Sequence, residues 1–338
     1  MSIRLGHHDR GTLPWVACDG DYGQPVDLAA PRIEWGAHEH DASIGGRRVR
    51  YVDLGTGTGA GTFGFVCVHG MGGCWQHYRE LLPSLARHGR AIALDLPGFG
   101  ASQMPAEPVT LELLADTAAA LAREVGLDRV VAVGHSMGGP IALRFATRHP
   151  ELTASLILLA GAVETFSALL GLRDLRRIAR ARPSAMAAAY TEVLTSGLPV
   201  PRPMQRRIIA HGAPRSASLW PYVHRPQLLR PDTVATILAG AGRRGAVPTA
   251  RAIGRSSPFE GIEQVRCPIL SLGGAHDRIV PISDLESFAR RAPTARTVLL
   301  EGCGHLPMLE RPRAVVERVD RHCQANHADS SASALGMT

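Results

Sequence analysis

The stretch Val130-Val131-Ala132-Val133-Gly134-His135-Ser136-Met137-Gly138-Gly139 constrains this chain more than any other. A β-branched run stops at a glycine, and a helical-looking segment starts at Ile141. Within it, Gly134-His135-Ser136-Met137-Gly138 fits G-x-S-x-G. A serine hydroxyl is a poor nucleophile unless it is held exposed beside a base. A sharp strand-to-helix turn does this, at the cost of strain in the serine backbone. Glycines two before and two after relieve the crowding, because they have no Cβ. The turn also sets the Met137 N–H at a helix start, where it can meet an oxyanion. A glycine-rich turn in any α/β protein satisfies the same pattern, so its partners downstream decide the reading.

Strand and helix signals alternate around this run. Residues 47–53 alternate as a strand does, and the glycine-rich residues 55–64 read as a turn. Residues 65–68 form a buried-strand run ending in His69-Gly70-Met71-Gly72-Gly73-Cys74-Trp75. Such a loop can present backbone N–H groups to an anion, and Met71 is the expected second oxyanion donor beside Met137. Phosphate is the competing anion, but neither nucleotide-binding glycine pattern is present. His69 and Asp95 read as groups that tie their loops together, and His135 as support for the serine turn. Residues 78–87 look helical and 91–94 look like a strand. Thr110 caps an expected helix to about residue 125, with Leu111, Leu114, Ala118, Leu121 and Val125 on one face and Gly126 ending it. Residues 156–159 are another strand. The alternation predicts an α/β fold with a mostly parallel central sheet covered by helices on both faces.

From about residue 163 to 258 the strand signal vanishes. Residues 169–182, 184–195, 203–210 and 232–241 read as short helices, a candidate lid inserted between two strands. Trp220, Tyr222, Met186, Met204 and, from the glycine loop, Trp75 are candidates to face a substrate; packing within the lid is the alternative. The sheet resumes at 267–274, followed by Ala275-His276-Asp277, and again at 296–300, followed by Glu301-Gly302-Cys303-Gly304-His305. The expected organisation is an extension over 1–40, a core over 41–162, a helical cap over 163–260, a second core part over 261–323, and a disordered polar tail over 324–338.

Composition narrows the function. The 338 residues contain no lysine, and the net charge is +7. Residues 162–261 carry 15 Arg against 5 acidic groups, so the basic surplus sits in the cap. That surplus suits either an acidic or phosphorylated ligand or a solvated surface. No nucleic-acid-binding motif accompanies it. Six cysteines without C-x-x-C spacing read as free thiols. The N-terminal residues lack an apolar signal core and no run reaches the length of a membrane span, so the expected location is cytoplasmic.

Ser136, Asp277 and His305 each follow an expected parallel strand, in the chain order Ser…Asp…His. With His69-Gly70-Met71-Gly72, Asp95-Leu96-Pro97-Gly98-Phe99-Gly100-Ala101-Ser102, Gly134-His135-Ser136-Met137-Gly138-Gly139, Gly274-Ala275-His276-Asp277 and Gly304-His305, the chain from about residue 45 to 323 resembles the lid-bearing α/β-hydrolase superfamily. The resemblance implies an α/β-hydrolase fold, Ser136 as nucleophile, His305 as base and Asp277 as the group orienting it, with Met71 and Met137 holding the oxyanion. It implies no cofactor or metal, and a small-molecule ester or acyl substrate. Glu164, just past the strand at 156–159, is a second candidate acid. Lid-bearing epoxide hydrolases and haloalkane dehalogenases resemble the chain but need a carboxylate where Ser136 stands. Serine points instead to acyl chemistry on a small, mainly apolar ester or lactone. Carbon–carbon bond hydrolysis of a diketone, thioester chemistry on a CoA-type substrate, and a non-catalytic ligand receptor remain as alternatives.

Overall fold

The computed structural model describes residues 13–18, 20–27, 33–55, 62–173, 183–292 and 295–334. Its centre is a nine-stranded sheet built from β1 (Trp15–Val16), β2 (Glu39–Ile44), β3 (Arg47–Leu54), β4 (Phe63–Val68), β5 (Arg90–Leu94), β6 (Arg129–His135), β7 (Thr153–Leu159), β8 (Ile269–Gly274) and β9 (Arg296–Leu300). The order across the sheet is β1-β9-β8-β7-β6-β4-β5-β3-β2. Pairings from β1 through to β5 are parallel, whereas β3 runs antiparallel to both of its neighbours. This is the α/β-hydrolase fold.

Both faces of the sheet are buried, and the alternation of side chains divides them. Along β4, Val66 and Val68 join one hydrophobic cluster while Phe65 and Cys67 join the other. Helices α1 (Leu82–Leu85), α2 (Leu111–Glu124) and α3 (Gly138–Arg148) belong to the first half of the core. The Thr110 side chain accepts from the Leu113 N–H at 3.0 Å, and Gly126 takes a left-handed φ of 78° after the helix, as its sequence requires. Among the described residues, six helices lie between β7 and β8: α4 (Glu164–Leu170), α5 (Pro183–Ser196), α6 (Arg202–Ala210), α7 (Gly212–Leu219), α8 (Pro231–Ala239) and α9 (Ala246–Arg255). They sit where the cap was expected. Of the expected helix over 169–182, residues 169–170 close α4, and residues 174–182 lie outside the described residues. After β8 come α10 (Ile282–Arg291), then β9, α11 (Pro307–Glu310) and α12 (Pro312–Ala334).

Three sequence expectations are corrected. The N-terminal residues are not merely an extension: Trp15 and Val16 add an edge strand beside β9, and Glu39–Ile44 forms a hairpin with β3. A two-residue strand has no readable periodicity, and its pairing is decided by the edge it meets. The polar tail expected from residue 324 is instead helical to Ala334, because no glycine or proline interrupts the chain between Pro312 and Gly336 and alanines favour the continued helix. The glycine-rich turn at 55–64 is shorter than expected, since Phe63 already pairs in β4; residues 56–61 lie outside the described set. All six cysteines are free. No helix among the described residues is long and apolar enough to cross a membrane.

Removing the hydroxyl that caps α2 tests the link from sequence to local structure. Thr110→Ala is expected to cost about 1 kcal/mol in urea unfolding, and Thr110→Ser much less.

Candidate active site

The ends of parallel strands gather the functional side chains. Ser136 follows β6, the loop 69–73 follows β4, Asp277 follows β8 and His305 follows β9. All lie at the carboxyl edge of the sheet, beside the point where β4 separates β5 from β6. Ser136 has a φ of 50°, a conformation that costs a residue with a Cβ of order 1–3 kcal/mol. Its neighbours make room for it. A Cβ on Gly134 would stand 2.2 Å from the Gly138 carbonyl oxygen, and one on Gly138 would stand 2.1 Å from that of Val68. The glycine loop also passes close, since a Cβ on Gly70 would come 3.0 Å from that of Ser136. Met71, the next residue, lies in this loop, and Met137 leads into α3.

The structure brings Ser136, His305 and Asp277 into one hydrogen-bonded line. His305 Nε2 lies 2.8 Å from Ser136 Oγ, and His305 Nδ1 lies 2.8 Å from Asp277 Oδ2. The other oxygen of Asp277 accepts from the backbone N–H groups of Ile279 and Val280 at 2.8 and 2.9 Å, which aims the carboxylate. All three side chains are almost wholly buried. Burial disfavours the imidazolium, but the facing Asp277 charge and hydrogen bond outweigh it, with a further push from Glu192 and Glu310. His305 therefore stands above its ordinary value of 6.5. With Asp277 holding the Nδ1 proton, Nε2 is left to accept one from serine. Glu164, the second candidate acid, opens α4 and makes no hydrogen bond to His305 among the described residues.

The remaining histidines and Asp95 act on the frame. His69 accepts at Nε2 from the Leu96 N–H, so its Nδ1–H donates to the Gly70 carbonyl; burial pushes this ring down to about 3. His135 donates from Nε2 to the His305 carbonyl at 2.8 Å. Asp95 accepts from the N–H groups of Trp75 and Ala101, both at 2.8 Å.

Glu310 was not singled out in the sequence. It is fully buried in α11 and accepts from four donors: Tyr22 Oη, and the backbone N–H groups of His224, Gly304 and Leu306. Those donors come from the N-terminal segment, the cap and both sides of His305. The cap touches the same loop again, because the His305 N–H donates to the Tyr222 carbonyl at 2.8 Å. Arg278, next to Asp277, donates to the carbonyls of Trp220 and Val223. Residues 220–225 thus strap the cap to the two loops that carry Asp277 and His305. A glutamate five residues after a histidine was the only trace of this in the sequence, and it means nothing until the strap is seen.

A cavity of about 260 Å³ opens onto His305. Core residues Met71, Gly72, His77 and His135 line one side, and cap residues including Glu192, Met204, Ile208, Leu219 and Tyr222 line the other. Of the three aromatic residues expected to face a substrate, only Tyr222 does. Trp75 turns away to pack on Trp35 with ring centroids 5.5 Å apart, held by its backbone bond to Asp95. Trp220 stays at the surface, 38% exposed, under the Arg278 guanidinium. Met204 reaches the cavity, whereas Met186 packs against the core. The cap arginines are spent in two ways. Arg215 is buried and donates to the carbonyls of Ile208, Ile209 and Leu229, whereas Arg202, Arg206 and Arg207 are exposed on α6.

Comparison with known proteins agrees with this architecture. The sequence pattern described as the alpha/beta hydrolase family matches residues 65–318. A dihydrolipoyllysine-residue acetyltransferase component of the acetoin cleaving system from Pseudomonas putida is 40% identical over 121 residues, 36% of this chain. That match spans only 32% of the relative's length. A 2-hydroxy-6-oxo-2,4-heptadienoate hydrolase, also from Pseudomonas putida, is 25% identical over 82% of this chain and 92% of its own length. Among solved structures, a thermophilic esterase from Thermogutta terrifontis superposes with a TM-score of 0.63 at 23% identity. That superposition covers 86% of this chain and 99% of the esterase, a likeness of fold.

The Glu310 junction has a measurable worth. Glu310→Ala leaves buried donors from three segments unpaired and is expected to cost about 3–5 kcal/mol in chemical denaturation. Tyr22→Phe removes two bonds, the one its hydroxyl donates to Glu310 and the one it accepts from the Arg225 N–H, and is expected to cost about 2 kcal/mol.

Proposed function

The chain belongs to the alpha/beta hydrolase family, and on that premise we propose that it is a serine hydrolase cleaving a small, mainly apolar carboxylic ester or lactone. The observation that carries this reading is the unbroken line from Ser136 through His305 to Asp277, with His305 lining a largely apolar cavity. Ser136 Oγ attacks the carbonyl carbon while its proton passes to His305 Nε2. The oxyanion forms between the Met71 and Met137 N–H groups; losing one such donor typically costs about 100-fold or more in rate. His305 then returns the proton to the leaving alkoxide. Water, deprotonated by the same imidazole, releases the acid from Ser136. Asp277 keeps the working tautomer and stabilises the imidazolium throughout.

Serine rather than aspartate at position 136 argues against epoxide opening through an alkyl-enzyme ester. Carbon–carbon hydrolysis is the second reading, favoured by a relative that matches over most of both chains and is described as a 2-hydroxy-6-oxo-2,4-heptadienoate hydrolase. A p-nitrophenyl ester series run against a vinylogous diketone separates the two. The expected result is turnover of short esters at least 100-fold above the diketone. Ser136→Ala is expected to lower kcat by at least about 1,000-fold.

The pH dependence follows from His305. Only neutral imidazole accepts the serine proton, and its folded value is raised, so kcat/KM is expected to climb with pH along a limb centred above 6.5. Asp277→Asn removes the charge that raises it. The limb should move down and kcat should fall by roughly 10,000-fold, because an amide facing Nδ1 favours the wrong tautomer.

A further inference from the structure

The cap places one acidic side chain in the cavity with one carboxylate oxygen unpartnered among the described residues. Glu192, on α5, lines the same cavity as His305 and is 2% exposed. Its Oε2 has no hydrogen-bond partner. Three hydroxyls on the same wall are committed elsewhere. Thr191 Oγ1 donates to the Ala187 carbonyl and Thr195 Oγ1 to the Thr191 carbonyl. The Tyr222 hydroxyl is then the donor to Thr195 Oγ1, at 2.7 Å. No ion pair to Glu192 occurs among the described residues. Around it the cavity wall is apolar, formed by Val200, Met204, Ile208, Leu219, Ile237 and Leu238.

A buried acceptor without a donor costs stability, and a leucine or methionine would fill the same space better. A ligand that brings the missing donor recovers that cost on binding. We propose that Glu192 is a specificity-determining residue, and that the cavity selects esters whose acyl or alcohol part carries a hydrogen-bond donor, a hydroxyl or an ammonium group, close to the scissile bond. This deepens the ester-hydrolase reading and rests on it for the identity of the scissile group. The electrostatics around Glu192 fit. Burial pushes its carboxyl up to about 7, with His305 pulling it down and the Asp277 charge pushing it further up. The other titratable groups on the cavity wall are Tyr222 from the cap and His77 and His135 from the core. An ammonium ligand would hold Glu192 ionised; a hydroxyl ligand is served by either form.

The test reads binding, so that it does not depend on turnover. In the Ser136→Ala protein, calorimetry compares ethyl esters of unbranched acids over a series of chain lengths, each with its ω-hydroxy and ω-amino derivative. At one chain length the hydroxy or amino ester is expected to bind about tenfold or more tighter than its unsubstituted parent. Glu192→Leu should abolish that ratio, and should raise Tm because it removes an unpaired buried carboxyl. Glu192→Gln keeps an acceptor but not a charge, so it should retain a hydroxyl preference and lose an ammonium one. The proposal is overturned if parent esters bind as well as both derivatives at every length, or if the preference survives in Glu192→Leu. A wild-type protein that turns over none of these esters while the binding ratio holds would overturn the ester reading and leave the Glu192 site standing.

Discussion

The close approach of β4 to the start of α3 is the constraint on which the rest depends. Gly138 lies so near the Val68 carbonyl that no side chain fits between them, and Gly134 lies as near to Gly138 itself. Two strands and a helix can meet this tightly only where Cβ atoms are missing. The contact forces Ser136 into its left-handed backbone and carries the Gly70–Met71 loop past its side chain. The Ser136 side chain and the glycine loop are thereby brought side by side. Side-chain flexibility has no part in this arrangement, because backbone packing sets it before any substrate arrives.

A second layer of organisation comes from the cap. Covering a cavity excludes water, and it also exposes the covering element to the problem of satisfying its own backbone. Residues 220–225 solve both together. Their carbonyls accept from His305 N–H and Arg278, and the His224 N–H donates to Glu310, which also binds the N–H groups flanking His305. The cap therefore does more than roof the cavity. It fixes the two loops that carry His305 and Asp277, and Tyr22 ties the N-terminal segment into the same buried carboxylate.

The parts legible in the sequence were those set by local backbone chemistry. G-x-S-x-G, the glycine loop after β4, the Thr110 cap and the carboxylate and histidine just past their strands all report on residues within a few positions of themselves. Parallel strand order follows from their alternation with helices. The parts that were not legible depend on contacts across the chain. Nothing near Trp75 in sequence says that it turns toward Trp35, and nothing near Trp220 says that it stays at the surface. Glu192 is unremarkable in a run of Thr, Val and Leu until the cavity surrounds it, and Glu310 gains its role only when donors from two distant segments join those of the neighbouring His305 loop. Cap helices are short and separated by proline and glycine, so their boundaries and lining residues were the least readable.

The account stands on Ser136 being an activated nucleophile inside an assembled site. Reaction with a fluorophosphonate tests this directly, since the reagent is attacked only by a serine whose proton has somewhere to go. Intact mass and peptide mapping would follow the wild-type protein beside the Ser136→Ala variant. The account predicts one adduct per chain, on Ser136, and none in the variant. A folded wild-type protein that stays unlabelled, or that is labelled at another residue, would contradict it.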